Sequence, residues 1–164
     1  AALAPVPALS ALNADTQSSK RLKFYNLHTD ERLGIRYCRD GRYDPSALDK
    51  INYILRDHRS GDIKPIDPHL LDLLYALSNQ LKTQKPFHII SAYRSPATNT
   101  KLRHRSGGVA SKSLHMAGKA IDIRIPGVPT RTLRDAAIKI EGGGVGYYPR
   151  SDFVHVDVGR VRYW

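Results

Sequence analysis

Three residues of this chain have the types and spacing to hold a metal ion. His115 and Asp122 lie seven positions apart across Gly118 in the stretch SLHMAGKAID, and the late segment FVHVD adds His155. Two imidazoles and one carboxylate are a sufficient protein ligand set for a catalytic zinc ion, because they leave a fourth position open to water. A metal held that way makes its water a nucleophile at neutral pH and polarises a carbonyl, so the chemistry to expect is hydrolysis. The competing reading is bland: a histidine and an aspartate beside a turn are often surface groups or a hydrogen-bonded pair, and short motifs recur by chance.

The surrounding elements must aim these side chains. KAIDIRI alternates, which puts Ile121, Ile123 and Ile125 on one strand face and Asp122 with Arg124 on the other. In DFVHVDVG the alternation puts Val154, Val156 and Val158 on one face and Phe153, His155 and Asp157 on the other. Asp157 is thereby expected on the metal side of its strand, as the carboxylate that accepts the water's proton or as a partner that fixes the histidine tautomer. GGGVGYY is expected to pair with this strand through a turn at Pro149, Arg150 and Ser151.

Upstream, Asp44-Pro45 and Asp67-Pro68 each combine an N-cap carboxylate with a first-turn proline, and so predict two helices with leucine and isoleucine faces. FHIIS predicts a buried strand, SPATNTKLRHRSGG a short helix and a glycine-rich loop, and TRTLRDAAIKI a helix capped by Thr130. RLKFYNLHTDERLGIRYCRDGRYD predicts an N-terminal β-hairpin turning at Thr29 to Glu31. The expected fold is therefore α+β, a single domain with a mainly antiparallel sheet and helices packed on one face. His28, His58 and His69 fall near turns and helix ends, where solvated or capping roles are expected.

At 164 residues the chain suits one domain, here 21–164, after a segment 1–20 that is either the remnant of a secretory signal or a disordered tail. The N-terminal AALAPVPALSA is apolar and rich in small residues, like the tail of a secretory signal, and on that reading the protein is exported to the periplasm. No apolar run is long enough for a membrane span. Cys38 is the only cysteine, so no intrachain disulfide can form, and a buried thiol is expected. The net charge of +11 predicts attraction to a polyanion. Nucleic acid is disfavoured because the cations are spread along the chain and no zinc-finger or RNP-type pattern occurs.

The stretch around His115 resembles the signature of the zinc D-Ala-D-Ala metallopeptidases, peptidase family M15, in which Ser-x-His is followed by Gly-x-Ala and Asp. Ser113, His115, Gly118, Ala120 and Asp122 all match it in register. SAYRS, which holds Arg94, matches the family's Ser-x-Tyr-Arg element, and GGVGYYPRSDFVHVDVG supplies the last histidine. The resemblance covers residues 45–164 and is nearest to the murein endopeptidase branch. It implies a zinc ion on His115, Asp122 and His155, Arg94 as the group that stabilises the oxyanion, and Ser113 on the substrate side. Where the family carries a catalytic glutamate in Glu-x-Trp-His this chain reads DFVH, which makes Asp152 a second candidate for the general base beside Asp157.

The resemblance further implies a monomeric enzyme acting on peptidoglycan peptides. Murein cross-link endopeptidase is the leading reading. A D-Ala-D-Ala carboxypeptidase or dipeptidase and a non-catalytic wall-binding module are the alternatives.

Overall fold

The computed structural model describes residues 19–106 and 108–164. The segment expected to be a signal remnant or tail, 1–20, lies outside them apart from Ser19 and Lys20, and so does Gly107 of the glycine-rich loop.

Among the described residues eight strands form one open sheet with four α-helices. The strands are β1 (Ser19–Asn26), β2 (Arg32–Arg39), β3 (Arg42–Tyr43), β4 (Phe87–Ser91), β5 (Ala120–Arg124), β6 (Gly144–Tyr148), β7 (Phe153–Asp157) and β8 (Arg162–Tyr163). The helices are α1 (Pro45–Ile54), α2 (Pro68–Gln80), α3 (Pro96–Arg105) and α4 (Thr130–Ile140). The sheet order is β3-β2-β1-β4-β5-β7-β6-β8.

This sheet is mixed, which corrects the expectation of a mainly antiparallel one. β1 runs parallel to β4 and β6 parallel to β8, while the other neighbours are antiparallel. Parallel neighbours need a long crossover, and the chain between β1 and β4 supplies it with α1 and α2. β1 is consequently an interior strand, paired with β2 on one side and β4 on the other.

The two Asp-Pro helix starts form as their chemistry requires. Asp44 accepts from the backbone N–H groups of Ser46 and Ala47, and Asp67 accepts from that of His69. At α4 the expected cap is absent: Pro129 occupies the N-cap position without a side-chain bond, and Thr130 is already the first helical residue. Helices α1, α2 and α4 bury Ile51, Leu74 and Leu133 in one core with Leu22, Phe24, Ile89, Ile123, Val154 and Val156 of the sheet. Each such side chain contributes roughly 1.5–3 kcal/mol when fully buried. Cys38 is buried, as expected.

No residue of α3 joins that core; the helix follows Arg94 and leads into the loop over the cleft described below. Its start is tied down by Asp57, which is 1% exposed. The Asp57 carboxylate accepts from the backbone N–H of Ser95, the α3 N-cap, at 2.9 Å and from that of Arg59 at 2.9 Å. Burial pushes this carboxyl upward, but the bonds from Thr98, Ser95 and Arg59 outweigh it and hold its pKa well below the ordinary range. A depressed folded pKa contributes stability that is fully present above the unfolded value, about 4, and is lost only as pH falls below it toward the much lower folded value. Asp57→Asn is therefore expected to cost about 1–3 kcal/mol near neutrality, and the gap between thermal melts of the two proteins should narrow progressively as pH falls below about 4. A gap that stays constant from neutrality down to about pH 2 would contradict this role.

Candidate metal centre

The first ligand position is set by a short 3₁₀ turn, Leu114–Ala117. Ser113 caps it, accepting from the His115 N–H at 3.3 Å, and Gly118 closes it at φ 68°. A side chain at Gly118 would be strained at that φ, and its Cβ would run into the Pro65 carbonyl oxygen. The chain can thus reverse within three residues of His115 and enter β5 at Ala120.

β5 and β7 then place Asp122 and His155 directly opposite each other in antiparallel register. Their neighbours Ile121, Ile123, Val154 and Val156 point into the core, so the polar pair faces the other side of the sheet.

His115 Nε2, Asp122 Oδ1 and His155 Nδ1 converge there, with separations of 3.2 Å between the histidines, 3.3 Å from His115 to Asp122 and 2.9 Å from His155 to Asp122. All three residues are buried. The remaining ring nitrogens are committed. His115 Nδ1 lies 2.6 Å from the Ala92 carbonyl oxygen and His155 Nε2 lies 2.9 Å from Asp157 Oδ2, and neither partner can donate, so both nitrogens carry the hydrogen. The inward nitrogens are left with lone pairs aimed at each other and at a carboxylate oxygen.

Three acceptors facing one another call for a cation between them. Four tetrahedral ligands at about 2.0–2.1 Å from a zinc ion stand roughly 3.3 Å apart, close to the spacing here. These residues fit the metal. In the metal-free protein the same crowding shows in the titration of the cluster. Burial lowers the His115 pKa; burial also opposes charge on His155, but its bonds to Asp122 and Asp157 prevail and raise it. Asp122 is held well below the carboxylate range because the two histidines outweigh its own burial.

Arg94, delivered by the loop after β4, donates to Asp122 Oδ2 at 2.6 Å through Nη2 and to Ser91 Oγ at 2.9 Å through Nε. It lines the cleft over the cluster, a space of ≈ 500 Å³ also bordered by Lys112, Ser113, Tyr148, Phe153 and Trp164.

Neither aspartate expected as general base opens into that cleft. Asp157 does share the face of His155, but it stands behind the ring, fully buried, with its oxygens taken by His155 Nε2, two Arg162 nitrogens and the backbone N–H groups of Gly144 and Gly159. Burial raises its pKa, yet those donors overcome it and keep the carboxyl far below its usual value, a poor proton acceptor. Asp152 sits at φ 51° between Ser151 and β7, is mostly exposed, and pairs with Arg124 at 3.2 Å outside the cleft.

Alternation along a strand fixes the face of a side chain but not which edge of a neighbouring ring it meets. Of the remaining histidines, His28 and His58 stack at 3.8 Å away from the cluster, and His69 pairs with Asp67 at the start of α2.

Two residues went unmarked in the sequence. Arg162 holds Asp157, and its guanidinium lies 4.9 Å from the Trp164 ring centre. Trp164 rests 5.3 Å from the His155 ring and donates through Nε1 to the Tyr148 hydroxyl. Both arrive through β8, a two-residue strand with no periodicity to read. The one available sign was the glycine run: a Cβ on Gly144 would meet Asp157 and Arg162, and one on Gly146 would meet the Trp164 ring. These glycines make room for the C-terminal strand.

A family model described as peptidoglycan L,D-endopeptidase MepK, among the M15 peptidases, matches residues 14–164. The peptidoglycan L,D-endopeptidase MepK of Escherichia coli K12 is 47% identical over 165 residues, covering 100% of this chain and 89% of that protein. The probable peptidoglycan L,D-endopeptidase MepK of Haemophilus influenzae is 40% identical over 150 residues, 91% of this chain and 81% of its own length.

Proposed function

The chain belongs to the peptidoglycan L,D-endopeptidase MepK family of M15 peptidases, and from that premise we propose that it cuts murein cross-links with a zinc ion on His115, Asp122 and His155. It is a peptidase of peptidoglycan. The names of its relatives point to a cross-link whose scissile peptide bond joins an L-centre to a D-centre. The observation that carries the metal is the convergence of three buried acceptor atoms whose outward N–H groups are already bound elsewhere.

When bound, the ion supplies a water of near-neutral pKa and a Lewis acid for the scissile carbonyl. The chain's own groups do the rest. Asp157 and the Ala92 carbonyl hold the two imidazoles in the tautomers that present lone pairs inward. Arg94 restrains Asp122 to one inward oxygen, and its Nη1, without a hydrogen-bond partner among the described residues, is the donor for negative charge developing on the carbonyl oxygen. Ser113 borders the cleft as a substrate contact, and Trp164, Tyr148 and Phe153, joined to one another, give it an apolar wall. Asp157 acts through His155 rather than on the water, and Asp152, paired with Arg124 outside the cleft, takes no part in the proton transfer.

Residues 21–164 act as one monomeric peptidase domain, and the place of action is the periplasm, where the polymer lies. No helix among the described residues is long and apolar enough to cross a membrane.

Digestion of purified peptidoglycan, with and without a chelator, tests the reading. Mass analysis should show cross-linked dimers converted to monomers, and the chelator should stop the conversion. Release of terminal alanine alone would make the protein a carboxypeptidase. No product from a metal-loaded protein would make it a binding module.

A further inference from the structure

Beyond the cleft, the same side of the sheet carries a second chemical feature. On β1 and β2 the core face is Leu22, Phe24, Leu33 and Ile35. The opposite face pairs Arg21 with Arg36, Lys23 with Gly34 and Tyr25 with Arg32. Arg21, Lys23, Arg32 and Arg36 are all exposed. Arg21, Arg36 and Arg39 together line a surface depression with Cys38, and Asp44, the α1 cap, is its only carboxylate among the described residues. Arg32 lies over the Tyr25 ring at 3.8 Å, and the Tyr25 hydroxyl donates to Asp30. None of Arg21, Lys23, Arg36 and Arg39 makes an ion pair among the described residues, while Asp72 of α2, Glu31 of the β1–β2 turn and Asp152 before β7 each pair with another cation.

Like charges directly opposite each other weaken a strand pair, and Arg21 against Arg36 is such a pair. Cations on edge strands can be explained as protection against edge-to-edge aggregation. β4 pairs β1 only at Phe24–Asn26, so Arg21 and Lys23 border an open edge; edge protection alone still does not explain two arginines set directly opposite each other, a repulsion that a single cation would avoid.

The row is continuous with the metal centre. Tyr25 neighbours His88, His88 neighbours Arg124, and Arg124 lies two residues from Asp122 on the same strand face. At the usual strand spacing and rise, the distance from Arg36 and Arg21 to Asp122 is on the order of 25 Å.

We infer that this face of β1 and β2 is a second binding surface for peptidoglycan, at which Arg21, Lys23, Arg36 and Arg39 hold stem-peptide carboxylates of the polymer whose cross-link lies in the cleft. The inference rests on the reading of the chain as a peptidoglycan peptidase. Charge complementarity selects the occupant: an acidic polymer entering the cleft from this side must cross the row, and a second contact on one polymer raises the effective concentration of the first.

The test is co-sedimentation of metal-loaded protein with purified sacculi at several salt concentrations, beside turnover of a soluble cross-linked peptide dimer. Arg21→Glu/Arg36→Glu is compared with Lys50→Glu/Arg131→Glu, an equal charge change at exposed positions on α1 and α4. The first variant should lose sacculus binding on the order of tenfold at low salt, with a flatter salt dependence, and turn over the soluble dimer at the wild-type rate. The second should bind nearly as the wild type does. Equal loss in both variants would reduce the effect to net charge and overturn the site, as would unchanged binding by the first. Wild-type binding to phosphatidylglycerol vesicles but not to sacculi, lost in the first variant, would assign the face to a membrane instead. Since binding is read without hydrolysis, a wild type that binds sacculi but cleaves nothing would count against the proposed activity and leave this surface standing.

Discussion

A His155→Ala protein should be isolated without zinc, fold as the wild type does, and turn over cross-linked peptide at least about a thousandfold more slowly. His155 supplies one of three inward acceptor atoms, and its loss leaves a two-ligand site, whereas removing only an outer partner of a ligand costs roughly 10–100-fold in affinity or rate. The fold should survive because the neighbours that anchor β7, Val154 and Val156, sit in the core on the opposite face. His115→Ala should behave alike, with Asp122 still held by Arg94. Zinc analysis beside circular dichroism decides the matter. Full zinc occupancy in His155→Ala would mean that the ligand set is wrong, and loss of the folded signal would mean that the cluster is structural.

The second large effect is expected at Asp157. Its carboxylate orients His155 from behind and gathers Arg162, Gly144 and Gly159 around itself. Asp157→Asn removes the charge and can turn an N–H toward His155 Nε2, which favours the wrong tautomer. Zinc affinity should fall about 10–100-fold, and excess zinc should restore much of the turnover. Asp152→Asn breaks only an exposed pair with Arg124, and exposed pairs contribute about 0–1 kcal/mol, so its rate should stay near wild type. Competition with a chromogenic chelator separates the outcomes. If Asp157→Asn keeps full zinc affinity and still loses turnover a hundredfold or more, the residue moves protons after all.

The three residues that converge in the cluster were legible because both strands that carry two of them alternate cleanly, and because Gly118 marks the turn that carries the third. The two Asp-Pro helix starts were legible for a local reason, since cap and first turn are adjacent in sequence. The direction of β1 relative to β4 was not. Parallel pairing is decided by a crossover of some sixty residues, and no residue within β1 or β4 encodes it. Which of the two roles offered for Asp157 applies was not legible for a related cause: its partner Arg162 belongs to β8, whose neighbour in space is β6 and not the strand before it.

The facing of Asp122 and His155 across β5 and β7 bears on how the molecule polices its own folding. Slipping one strand by a single residue reverses every side chain on it, which would drive Asp122 into the isoleucine-lined interior and bring Ile121 or Ile123 out to the histidines. Such a misthreaded chain could look compact and still be unable to take up an ion. With the proposed zinc on this cluster, the number of zinc ions per chain in a preparation measures the fraction of molecules whose central strands are threaded correctly, before any substrate is added.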